Sequence, residues 1–254
     1  MTMQRFLSRR TFLGAAGAFG LSCARRTGPL PPAEESGRKR IAAIITEYRL
    51  NSHADVIVGR LLEGYDYYGV RRPPSVRVVS MYTDQVPAND LSRAMARKHQ
   101  LPVRNTIREA LTENGKFSVE GVMIIGEHGN YPFNEKGQHL YPRYDLFSQV
   151  VDVFREAGVS VPVFCDKHLS YDWNKAKRMY DWSRELRFPL MAGSSLPLAW
   201  RIPPLELEFG APVERAVVCF YGGKESYGFH ALESLQCMVE RRHGGESGIQ
   251  AVRC

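Results

Sequence analysis

The stretch Val159 to Ser170, VSVPVFCDKHLS, decides the fold: an apolar run through Val161, Val163 and Phe164 stops abruptly at Asp166-Lys167-His168. Its length and its β-branched and aromatic content suit a buried strand. An acid, an amine and an imidazole at the carboxyl end of such a strand are what the ligand-facing edge of an open α/β sheet looks like, because ligands collect outside those ends.

Working outward, similar strands recur at Ile41–Ile45, Val76–Tyr82, Gly121–Gly126 and Leu190–Gly193. Helical stripes alternate with them. Val56, Ile57, Leu61 and Leu62 follow capping residues in Asn51-Ser52-His53-Ala54-Asp55, and Asn89 can cap a helix carrying Leu91, Met95 and Ala96. Thr106 with Glu109 makes a capping box for a helix through Leu111. Leu146, Phe147, Val150, Val151 and Phe154 form a stripe stopped by Gly158, and Asp172 caps a helix through Ala176, Met179, Tyr180 and Leu186. Strands alternating with helices predict an α/β fold, a Rossmann-like doubly wound parallel sheet covered on both faces, over residues 41–196.

From 197 the pattern changes. Four prolines precede Val213–Tyr221, a run that suits a strand of a different sheet, and a helix follows through Phe229, Leu232, Leu235 and Val239. Residues 197–254 therefore read as the start of a second α/β domain. One strand and one helix cannot close a core, so either a partner, a second copy of the chain included, completes it or the sequence is a fragment.

The net charge of +7 suggests nucleic acid until it is located. Residues 1–40 hold eight Lys/Arg against two acids, and the remaining chain carries only +1, without the basic face that nucleic acid needs. Ser8-Arg9-Arg10-Thr11-Phe12-Leu13 and the apolar Gly14–Leu21 resemble a twin-arginine signal peptide over residues 1–27, which implies export, to the periplasm or beyond. Leu21-Ser22-Cys23 suits either cleavage or lipidation at Cys23, and Gly28 to Arg40 is a linker. No apolar run approaches the ~20 residues of a stable membrane span. Cys165, Cys219, Cys237 and Cys254 lack CxxC spacing, so buried thiols are expected instead of zinc or a disulfide framework.

The order of elements and three local stretches resemble the Gfo/Idh/MocA family of oxidoreductases. His53 falls where the family usually has a histidine after its glycine fingerprint. Val163-Phe164-Cys165-Asp166-Lys167-His168 looks like the family's strand ending in Glu-Lys-Pro. Gly222-Gly223 through Phe229-His230-Ala231-Leu232 resembles the glycine-rich turn leading to a catalytic Asp and His. The resemblance implies NAD(P)-linked hydride transfer on a carbohydrate or cyclitol, with catalytic Lys167, His230, Asp166 and His168. It implies NAD or NADP held near Thr46, Glu47, His53, Asp84, Glu127 and His128, and no metal. The departures are plain. The three fingerprint glycine positions are Ile45, Glu47 and Leu50, and Ser226 stands where the catalytic Asp would be, with Glu225 one residue away. A Cβ at the fingerprint positions blocks the close approach of backbone to pyrophosphate. The same fold without dinucleotide, as a sugar-binding protein, lyase or isomerase, is the alternative.

Other readings of single residues stay open. The Asp166-Lys167-His168 cluster is either a tuned acid/base group or a solvated strand end, and His230 is either functional or a half-buried histidine of a helix start. Glu127, His128, Glu135 and His139 share a loop broken by Pro132 and Gly137, which suits substrate or solvent better than a metal. Tyr131, Tyr141, Arg143 and Trp173 suit a sugar.

Overall fold

The computed structural model describes residues 37–253. The leader, Cys23, most of the linker and Cys254 lie outside the described residues. Six strands form one sheet: β1 (Lys39–Glu47), β2 (Val76–Gln85), β3 (Val103–Arg104), β4 (Gly121–Ile125), β5 (Val163–Cys165) and β6 (Leu190–Met191). All neighbours pair in parallel, in the order β6-β5-β4-β1-β2-β3. Two three-strand halves thus wind outward from a switch between β1 and β4, the doubly wound order of a Rossmann-like fold. The intervening helices are α1 (His53–Glu63), α2 (Ser92–Lys98), α3 (Ile107–Leu111), α4 (Arg143–Ala157) and α5 (Trp173–Glu185).

Period-two alternation on β1 divides the core. Ile41, Ala43 and Ile45 pack with Val58 of α1 and Ala96 of α2 on one face. Ala42 and Ile44 pack with α3, α4 and α5 on the other, where Phe147, Phe154, Met179 and Trp182 dominate. Trp182 belongs to this core although the stripe drawn through α5 omitted it, and Tyr180, which the stripe included, is exposed.

The caps explain where the helices start. Ser52 accepts from Asp55 N, Thr106 from Glu109 N and Asp172 from Lys175 N. Glu109 reaches back to Asn105 N, one residue outside the expected capping box. The expected cap at Asn89 is not formed: Leu91 occupies the N-cap of α2 without a side-chain bond, and Asp90 just before it accepts from Ser92 Oγ and Arg93 N. After α1 a short hairpin pairs Tyr65–Tyr67 with Val70–Arg72.

The expected strand at Val213–Tyr221 is not formed. Among the described residues after β6 there is one long helix, α6 (Lys224–Val239), a 3-10 turn at Leu196–Leu198, and a single bridge between Ala211 and Arg242. A strand needs a partner for its backbone groups, and none lies beside this run, where Val217 and Tyr221 are exposed.

Phe147 is fully buried between Trp182 and Phe188, with ring centroids 6.4 and 6.1 Å away. Phe147→Ala is expected to cost about 3–5 kcal/mol, read as a lowered urea midpoint with unchanged slope.

Candidate active site at the strand ends

The carboxyl ends of β1, β4 and β5 converge at the switch point, and the polar residues there are partnered in a definite way. Asp166 follows β5 with its side chain 1% exposed. One oxygen takes the Gly126 N–H at 3.0 Å, and the other lies 2.8 Å from His53 Nδ1 at the start of α1. A carboxylate only accepts, so Nδ1 carries a proton.

Lys167 points elsewhere. Its buried amine lies 3.1 Å from His230 Nε2 on α6, and His230 Nδ1 lies 2.7 Å from Ser194 Oγ in the loop after β6. With Lys167 donating to Nε2, the imidazole proton sits on Nδ1 and donates to Ser194. Burial pushes the lysine amine below its ordinary value, against the pull of Glu127 and Asp166. His230 is lowered too, by burial first and by Lys167 second.

Arg143 opens α4 and is buried, with its guanidinium 2.8 Å from Glu127 and 3.2 Å from His168 Nε2. Gly126 makes room for it: a Cβ there would lie 2.6 Å from Arg143 Cγ. Since arginine donates to Nε2, neutral His168 holds its proton on Nδ1, a buried donor with no acceptor among the described residues. Burial, then Arg143, lowers His168 to about 4.

Lys167, His168, Arg143 and Glu127 line one cavity of about 110 Å3, walled by Phe133, Tyr141 and Phe229. His139 stacks between Phe133 and Tyr141, with centroid distances of 4.3 and 4.0 Å. Glu225 of α6 accepts from His139 N at 3.0 Å, so the carboxylate one residue off the family position reaches the same loop. Trp173 is 77% exposed and is not part of the wall.

The residues expected to hold a dinucleotide have partners within the protein. Glu47 pairs with Arg49 at 2.6 Å, and Arg49 donates to His128 Nδ1 at 3.2 Å. Thr46 Oγ1 donates to the Glu127 carbonyl at 2.7 Å, which ties β1 to the end of β4. At the end of β2 the Asp84 oxygens accept from the Tyr82 and Tyr131 hydroxyls at 2.8 and 2.7 Å. Gln85 is bonded in both directions to the Asn130 backbone, strapping the loop after β4 over β2.

A pyrophosphate does not fit the β1–α1 turn. Ser52 Oγ already accepts from the Arg49 and Asp55 N–H groups, and the Asp55 carboxylate accepts from Asn51 N at 2.9 Å. Two carboxylates, Glu47 and Asp55, stand where an anion would need donors and a positive helix end.

The structure thus brings Lys167 and His230 together and adds Ser194, which the sequence reading missed; a serine just past a strand end was the available signal. Asp166 joins His53 instead of Lys167, and His168 joins Arg143.

No family model and no curated protein matches the chain. Among solved structures it is similar to GenD2 from gentamicin A biosynthesis in complex with NAD (15% identity, TM-score 0.39, 65% of this chain and 37% of that one). It is also similar to UDP-N-acetylglucosamine 3-dehydrogenase GnnA from Acidithiobacillus ferrooxidans (12%, 0.38, 61% and 38%) and to the dehydrogenase MviM from Clostridium difficile (10%, 0.40, 63% and 39%). The chain spans under two fifths of the length of these proteins, and the likeness is one of fold.

The low value of His168 has a consequence for stability. The unfolded chain takes up a proton at this residue near pH 6.5, whereas the folded protein resists until about 4. Stability is therefore lost as pH falls through that window. Urea midpoints measured from pH 7 down to about 4.5 should fall more steeply for the wild type than for His168→Gln; equal slopes would show that His168 titrates normally.

Proposed function

We propose that the strand-end cavity binds a small hydroxyl-rich molecule, sugar-like or cyclitol-like, and moves a proton on it through Lys167 and His230 without a dinucleotide. The observation that carries this reading is the Lys167–His230 contact at 3.1 Å beside a cavity lined by Arg143, Glu127 and His168. Phe133, Tyr141 and Phe229 offer faces for the apolar side of a sugar ring. The unpaired His168 N–H wants an oxygen acceptor, which a substrate hydroxyl supplies. About 110 Å3 is well under the ~300–1,000 Å3 of drug-sized sites, so the enclosed part of the guest is small.

Within this reading Arg143 and Glu127 orient the guest's oxygens. Lys167, with its proton affinity lowered by burial, exchanges a proton with a substrate hydroxyl or with a carbon next to a carbonyl. His230 Nε2 accepts from Lys167 and can take up the proton that Lys167 gives, while its Nδ1–H stays bonded to Ser194 Oγ. Isomerisation or elimination is the reaction class, with plain sugar binding as its limit when no proton moves. The leader at Ser8–Leu13 supports export by the twin-arginine route, and Cys23 a lipid anchor there.

A second reading, hydride transfer with NAD or NADP on a carbohydrate or cyclitol, is supported by the same Lys167–His230 contact, because the resemblance implies a lysine near the nicotinamide and substrate at Lys167 and the catalytic histidine at His230. It needs the dinucleotide to enter other than by the β1–α1 turn.

Calorimetric titration of the wild type with hexoses, inositols and sugar acids is expected to give saturable binding for at least one of them. Lys167→Ala and Phe133→Ala should each weaken it about tenfold or more. Silence across the whole panel, or an affinity that Lys167→Ala leaves unchanged, would overturn the reading.

A further inference from the structure

At the amino end of the sheet, away from the strand-end cleft, lies a larger cavity of about 360 Å3 under α3. Arg40 of β1, Arg77 of β2 and Arg104 of β3 all line it. Alternation explains why. Ile41, Val78 and Val103 pack on the α1/α2 face, so their neighbours Arg40, Arg77 and Arg104 emerge on the α3 face. A register irregularity between Ile41 and Ala42 sets Ala42 opposite Ser80, skipping Val79, and Ser80 Oγ donates to the Ala110 carbonyl of α3.

The charges here are unbalanced. Arg40 and Arg77 are register partners on adjacent strands, about 4.8 Å apart by strand spacing, and like charges side by side on a sheet are destabilising. Two carboxylates reach the cavity, and both are engaged. Glu113 pairs with Arg40 at 3.2 Å, and Glu109 accepts from Asn105 N at 3.0 Å. Among the described residues Arg77 and Arg104 have no ion-pair partner, and Arg104 Nε is buried without an acceptor. A buried guanidinium N–H left unpaired is costly, and an acceptor brought by a ligand would offset that cost.

We infer that this cavity is a second binding site, for a phosphorylated small molecule whose phosphate sits at the Arg40/Arg77 pair and whose remaining polar atoms reach Arg104. Arginine forks match phosphate oxygens two at a time. The volume lies within the ~300–1,000 Å3 of small-molecule sites, larger than the strand-end cavity. Arg40 is seven residues before Glu47 on β1, so the two sites are roughly 20 Å apart along the strand, and this inference stands whatever the strand-end cavity binds.

The test is titration of the whole protein with inorganic phosphate, glucose 6-phosphate and citrate, followed by amide chemical shifts. Phosphate and its ester are expected to give saturable shifts at residues of β1–β3 and α3, with glucose 6-phosphate the tighter. Arg77→Gln and Arg104→Gln should each weaken binding about tenfold, the worth of one charge-assisted hydrogen bond. Arg77 is exposed, so its variant keeps the test meaningful even where Arg104→Gln perturbs folding. The inference is overturned by no saturable shift up to about 10 mM, by citrate binding where both phosphates fail, or by equal affinity in Arg77→Gln.

Discussion

The constraint on which the rest of the structure depends is that charged side chains are taken out of water at the ends of β4 and β5 and must be neutralised there. A buried ion left without its partner costs about 3–5 kcal/mol. Asp166 is held by the Gly126 N–H and His53, Arg143 by Glu127 and His168. These bonds join α1, β4, β5 and α4 at a single point, so the helices on both faces are positioned by the same polar cluster. The apolar layers around Phe147 and Ile45 give the fold its stability, and the cluster gives it a defined edge.

The same economy explains what the edge can do. Pairing Asp166 and Glu127 internally leaves Lys167, His230, the His168 N–H and the Arg143 Nε–H, the last two without an acceptor among the described residues, as groups with chemistry to spare. The β1–α1 turn is itself occupied by carboxylates. Ser52 and Asp55 close the helix end, Glu47 holds Arg49, and Asp84 is shared by two tyrosines whose hydroxyls burial and that carboxylate push upward, Tyr82 to about 12.

Much of this was legible in the sequence because it is local. Strand runs, caps at Ser52, Thr106 and Asp172, and the Gly158 stop depend on residues a few positions apart. The strand-end residues Asp166, Lys167 and His168 announced the edge. Their partners could not be read that way. That Asp166 meets His53 while Lys167 meets His230 depends on which way adjacent side chains turn after a three-residue strand, and those contacts span 113 and 63 positions. Val213–Tyr221 failed for the opposite reason: its composition suits a strand, but composition cannot supply a neighbouring backbone to pair with.

On the proposed function, this edge acts through its own side chains and the β1–α1 turn seats no pyrophosphate. Titrating the wild-type protein with NADH and NADPH, followed by energy transfer from tryptophan to the reduced nicotinamide, tests it most directly. The account predicts no saturable transfer up to about 1 mM. Saturable transfer in the micromolar range, displaced by the oxidised dinucleotide, would contradict it.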